Sequence, residues 1–325
     1  MQILLLGCGG FLGRHILNML LEISNISILA VGSHREIPQI DSSRIKYING
    51  DLTSKSFVDS VINGQDVVVH CAGVSTGSKD LFINPTLQIE DNAIMNTYIL
   101  SACARTAVKK FIFPSCTLPY QKQNRPFIDV AVKEEEDFLN EEILDIYRGV
   151  GWTKVYAEKL CSYFSSISPM NTYCLRLSNV YGPYDKFNTD KSHLMAAAIT
   201  KVLKNEGVID IWGDGTQERD FIYIDDVVSA FKYIILNELG SKHEIYNIGS
   251  GTSISALNLF EKVIKISNCV GVKIVTNPEM KTVNTKVILD ISKAHKQLNW
   301  FPLIDLEQGI LKTVEWYRQK FQLHF

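Results

Sequence analysis

Gly7, Gly10 and Gly13 recur at a spacing of three directly after the apolar residues Ile3, Leu4, Leu5 and Leu6. An amphipathic run opens at Arg14. Strand, tight turn and helix follow from this pattern, and the turn suits a pyrophosphate. Gly7 can turn sharply with positive φ, Gly10 lets the backbone approach the anion, and Gly13 lets the helix pack close to the strand. The helix N-terminus then offers free N–H groups and a partial positive charge. An ordinary strand-to-helix loop carries glycines too, so the elements around the turn must discriminate.

Those elements keep a regular rhythm. Short apolar strands are expected at 26–31, 46–48, 66–70, 110–113 and 171–177, with helices at 88–106 and from about 151 to 165. Apolar strands separated by helices imply a doubly wound, parallel α/β sheet of Rossmann type, whose ligands sit beyond the C-terminal strand ends. The polar and small residues lie at those ends: Ser33 and Arg35, Asp51 and Leu52, Cys71 to Gly73, Ser115 to Thr117, and Ser178 and Asn179. The rhythm changes from Tyr184. A helix near 192–204, strands at 208–212 and 219–224, a helix capped by Asp225 or Asp226, and a further strand at 244–248 are expected. The expected division is a dinucleotide-binding domain at 1–178 plus about 225–250, with a smaller, discontinuous C-terminal domain at 179–224 and 251–325. The acidic stretch 133–146 reads as a solvated, partly helical excursion.

Composition excludes several classes. The 325 residues carry 33 basic and 35 acidic side chains, a net charge of −2, and no basic stripe that would suit nucleic acid. Seven cysteines without a C-x-x-C pair indicate neither a disulfide framework nor a metal site, and fit a reducing cytoplasm. The N-terminal apolar run ends at once in the glycine turn, so it reads as a strand and not a signal peptide. No apolar run reaches membrane-spanning length.

With these residues placed, the chain resembles the extended short-chain dehydrogenase/reductase family, and within it the nucleotide-sugar epimerase, dehydratase and reductase branch. The marks, in order, are the glycine turn, Asp51–Leu52, His70 to Gly73, Asn92, Ser115–Cys116, Lys154 with Glu158, Arg176, Asn179 to Pro183, and Gly213-Asp214-Gly215 with Arg219-Asp220-Phe221. Leu289 to Ala294, with Trp300 and Pro302, complete them. The resemblance implies that the glycine turn, with Phe11 and Leu12, holds a dinucleotide. Asp51 and Leu52 would meet its adenine, and Cys71, Ala72 and Gly73 would line its path. Lys154 would bond the nicotinamide ribose and lower the pKa of a neighbouring proton donor. Asn179 would touch a nucleoside-diphosphate sugar and Arg219 would pair with its diphosphate. The alternative for Arg219 is a salt bridge to Asp220 or Asp214. The resemblance also implies surface-polysaccharide sugar synthesis, and a homodimer through the helices at about 90–106 and 152–166.

The second strand bears on the cofactor. Dinucleotide sites for NAD carry an acid there; Ser33 and Arg35 instead suit a 2′-phosphate, which favours NADP(H) with NAD(H) as the alternative. The catalytic pair departs from the family. A tyrosine belongs four residues before Lys154, where Val150 stands and has no titratable proton. Tyr147 lies three residues earlier, and Gly149 and Gly151 argue against a helix reaching it. Cys116 occupies the usual hydroxyl position, with Thr117 beside it. Asp185 to Phe187 through Ser192 to Leu194 is similar to the segment after Tyr-Gly-Pro in GDP-fucose synthase-like epimerase/reductases. There a histidine and a cysteine exchange protons beside a ketone, which points to His193 and Cys116. Two readings stay open: an enzyme acting at C3 to C5 of the sugar, and a protein that binds both nucleotides without turnover.

Overall fold

The computed structural model describes residues 1–33, 40–75, 83–84, 86–122, 131–134, 142–188, 192–204, 207–280, 282–283 and 285–322. Arg35 lies outside the described residues. The sheet is built from β1 (Gln2–Leu6), β2 (Ser27–Gly32), β3 (Ile45–Asn49), β4 (Val67–His70), β5 (Lys110–Cys116), β6 (Asn171–Leu177) and β11 (His243–Ile248). Its order is β11-β6-β5-β4-β1-β2-β3, and every neighbouring pair is parallel. The order reverses between β1 and β4, which opens a crevice at their C-terminal ends.

Burial on both faces explains the apolar runs. Ile3 and Leu5 pack to one side of β1, and Leu4 and Leu6 to the other, all fully buried. Helices α1 (Phe11–Leu21) and α6 (Ile224–Leu236) pack together on the first face. Helices α2 (Lys55–Ile62), α3 (Glu90–Arg105) and α4 (Arg148–Ile167) cover the second. Short strands pair beyond the sheet: β7 (Asn179–Tyr181) with β10 (Phe221–Tyr223), β8 (Val208–Trp212) with β13 (Lys273–Asn277), and β9 (Glu218–Arg219) with β12 (Ile254–Ser255). Helices α5 (Leu194–Lys204), α7 (Ala256–Ile266), α8 (Ser292–Leu298) and α9 (Leu306–Phe321) complete the described elements.

Four expectations change. Helix α4 starts at Arg148, before both glycines, because the 3₁₀ turn Asp145–Tyr147 leads straight into it. Strand β5 runs on to Cys116, held by pairing with β6. Neither Asp225 nor Asp226 caps α6, whose N-cap is Tyr223. The Asp226 carboxylate instead accepts from the N–H groups of Leu303 (2.9 Å) and Ile304 (3.1 Å), tying the C-terminal segment to the helix. Glu134, in the acidic stretch, is not simply solvated: its Oε1 accepts from the Asn247 N–H at 2.8 Å. Residues 135–141 of that stretch lie outside the described residues.

Candidate functional site

The glycine turn is built by close approach. Gly7 has φ +84°, and a Cβ there would lie 2.5 Å from the Ala72 backbone nitrogen. A Cβ on Gly13 would lie 2.1 Å from the Gly7 carbonyl oxygen. Any side chain at either position would strike backbone, so glycine is required. Gly10 is the extended N-cap of α1, at φ −77°, and among the described residues no side chain caps that helix. Its first N–H groups therefore remain for a ligand at the end of β1.

A cavity of about 660 Å³ opens from this turn, within the range of small-molecule sites. Among the expected residues it is lined by Gly7, Gly10, Phe11, Leu12, Ser33, Cys71, Ala72, Gly73, Cys116, Thr117, Tyr147, Lys154, Asn179, His193 and Arg219. Gly13 serves the helix packing. Asp51 and Leu52 stand away from the cavity wall: Asp51 accepts from the Thr53 N–H (2.8 Å) and hydroxyl (2.7 Å), and Leu52 packs in the core. Asn92 holds the β4 end in shape, accepting from the Val74 N–H and donating to the Val74 carbonyl, both at 2.9 Å. His70 is buried against Asn96 at 2.9 Å.

Lys154 projects from α4 toward the end of β5. Its ammonium donates to the Pro114 carbonyl at 2.9 Å and sits 4.6 Å from the Phe113 ring centre. Burial lowers its pKa. Burial raises that of the Cys116 thiol, with the Lys154 charge opposing. Val150 lines the same wall and is buried. Tyr147, at the head of α4, also reaches the cavity; burial raises its pKa and the Arg219 charge opposes the rise. His193 is accessible from the cavity, while protein packed around it lowers its pKa by desolvation against the pull of Asp185.

Arg219 makes neither expected salt bridge. Its guanidinium donates to the carbonyls of Glu218 (2.7 Å), Thr285 (2.6 Å) and Val283 (2.7 Å). The Asp220 carboxylate is engaged by the Ser250 N–H and hydroxyl, and Asp214 by Thr216. Asn179 donates its side-chain amide to the Asp220 carbonyl at 2.9 Å. Gln217 is a cavity residue that the sequence reading did not single out, and Ser115 was read only as a strand-end mark. Ser115 and Gln217 are buried, and among the described residues the Ser115 hydroxyl and Gln217 Oε1 have no hydrogen-bond partner. Each sits beside a motif residue, which was the available signal.

The model of the NAD dependent epimerase/dehydratase family matches residues 3–249. The chain belongs to that family. Among solved structures, UDP-glucose 4-epimerase from Thermotoga maritima, crystallised with UDP-glucose, superimposes with a TM-score of 0.86 at 26% identity, covering 99% of this chain and 100% of that one. A UDP-glucuronic acid 4-epimerase variant from Bacillus cereus, solved with a UDP-sugar and NAD, gives 0.81 at 25% identity, covering 98% and 100%. GDP-L-fucose synthase of Azorhizobium caulinodans is 29% identical over 82% of this chain and 85% of its own length. Membership of this NAD(P)-dependent epimerase/dehydratase family accounts for the glycine turn, the β4 end and Lys154 lining one cavity.

Proposed function

We propose that this protein binds a nucleoside-diphosphate sugar beside a nicotinamide dinucleotide and epimerises a keto sugar by moving protons at carbons next to the ketone. The observation that carries the reading is one cavity lined by the uncapped α1 turn, Lys154, Cys116, His193 and an Arg219 without a carboxylate partner among the described residues.

The residues present fit the dinucleotide: the Gly7 cradle would be filled by a Cβ, and α1 presents free N–H groups at it. Gly7, Gly10, Phe11, Leu12 and Cys71 to Gly73 would hold it, with Lys154 at the ribose. Ser33, in a segment without an acid before Arg35, supports NADP(H) over NAD(H). The dinucleotide, when bound, supplies hydride exchange with the sugar. Residues 1–178 with 225–250 form the part that holds it, and 179–224 with 251–325 the part that holds the sugar nucleotide.

The protein's own groups carry the proton transfers. Desolvation keeps His193 neutral and Cys116 protonated near neutral pH. His193 therefore takes the proton from the carbon beside the ketone, the electron pair moving onto the carbonyl oxygen as an enolate. Cys116 returns a proton to the opposite face, and solvent restores both groups. Lys154, whose charge lies beside Cys116, stabilises the thiolate this leaves. Val150 in the tyrosine position favours this chemistry over a tyrosine-assisted reduction. Binding without turnover is the second reading, supported by the same valine.

Arg219 carries the first test. Its guanidinium is already oriented by three carbonyls, so little order is lost when a diphosphate arrives. Arg219→Met should weaken sugar-nucleotide binding by about 2–5 kcal/mol, roughly thirtyfold to several thousandfold in Kd by titration calorimetry. A change under about threefold would remove Arg219 from the site.

A homodimer through α3 and α4 is part of the proposal. Trp152, Tyr156 and Tyr163 stand 61%, 42% and 59% exposed on α4, a large aromatic face for a monomer. Sedimentation should give a dimer for the wild type and a monomer for Trp152→Glu. A monomeric wild type would overturn it.

A further inference from the structure

The cavity has a second distinctive wall, where α5 faces β8. Ile209 and Ile211 of β8 are buried in the core at 2% exposure each. Alternation along a strand then sets Asp210 and Trp212 on the other face; both line the cavity, and Ile211 between them also borders it. Ala197 and Lys201 of α5 line it as well. The Lys201 ammonium donates to the Asp210 carbonyl at 2.6 Å, which brings helix and strand together at this level. Among the described residues, no cation forms an ion pair with the Asp210 carboxylate.

An indole, a small alanine, a lysine and a carboxylate without a counter-ion suit a flat heteroaromatic ring with polar edges. The carboxylate decides which ring. A carboxylate is acceptor-only and takes two parallel N–H bonds when two donors lie side by side. Guanine offers such a pair in N1–H and the N2 amino group, with its O6 acceptor adjacent and open to an ammonium. Uracil and thymine offer one N–H flanked by two carbonyl oxygens, which a carboxylate repels. Adenine and cytosine set a ring acceptor beside their amino group.

We infer that Asp210 reads the donor edge of guanine, so that the sugar nucleotide this protein takes is a guanosine-diphosphate sugar. Trp212 and Ala197 form the walls of the base slot. The inference rests on the proposed sugar-nucleotide site and names its base.

Titration calorimetry with GDP, IDP, UDP, dTDP and ADP, on the wild type, Asp210→Ala and Arg219→Met, tests it. IDP lacks the N2 amino group and isolates one of the two bonds. Wild type should bind GDP about ten- to a hundredfold more tightly than UDP, dTDP or ADP, with IDP between them. Asp210→Ala should lose that preference by weakening GDP alone, leaving UDP within about threefold. Equal affinity for all five in the wild type, or a GDP preference that survives Asp210→Ala, overturns the base assignment. If those affinities still fall in Arg219→Met, the sugar-nucleotide reading stands without it. If no nucleoside diphosphate binds the wild type, both fall together.

Discussion

His193→Asn is expected to lower proton exchange between heavy water and a 4-keto sugar nucleotide by about 10²–10⁴-fold, with sugar-nucleotide affinity nearly unchanged. Asparagine preserves bulk and polarity but has no basic nitrogen. Mass spectrometry of the recovered sugar reads the exchange directly. The pH profile supplies a second measure. Protein packed around His193 moves its pKa below the ordinary 6.5, against the opposing charge of Asp185. A lowered pKa keeps the imidazole neutral, and so basic, to more acid pH. The acid limb of wild-type exchange should therefore fall below 6.5. A limb at or above 7, or exchange untouched in His193→Asn, would remove the histidine from the reaction. Absence of any exchange by the wild type, with binding intact, would leave the reading of a protein that binds without turnover.

The other large effect is on stability. Glu158 of α4 and Arg176 of β6 form an ion pair whose side chains are each 4% exposed. The fork is bidentate, Nε to Oε1 at 3.1 Å and Nη2 to Oε2 at 2.8 Å. Arg176 also donates to the Tyr120 hydroxyl (2.7 Å) and the Glu134 carbonyl (3.0 Å), and Tyr120 donates onward to Asn247 Oδ1 (2.9 Å). One guanidinium therefore joins α4, β6, the turn after β5, the 134 segment and β11. Glu158→Ala leaves that cation buried without its partner, a loss of about 3–5 kcal/mol. Glu158→Gln keeps an acceptor and should lose less. Chemical denaturation reads both, and a loss below about 1 kcal/mol for the alanine variant would show that the pair is not structural.

Much of this molecule follows from short-range physics. An apolar run of four residues, a glycine with positive φ and a helix packed against its own strand are neighbours in the chain, and their demands can be read at once. So the glycine turn, the parallel sheet and the polar strand ends were legible, as was the family. Side chains whose partners arrive from far along the chain were not. Asp226 looks like a helix cap, yet amides 77 and 78 residues downstream take its carboxylate. Arg219 looks like half of a salt bridge, yet carbonyls 64 and 66 residues away hold it. Tyr147 reaches the cavity because a 3₁₀ turn carries the helix back across two glycines.

The sequence by itself determined the class of fold, the order of its elements, the glycine turn and the family, because each depends on residue type and local spacing. Tertiary structure alone decided which charges lack counter-ions among the described residues and which residues of β8 reach the cavity, because burial and pairing depend on groups that only the folded chain brings together.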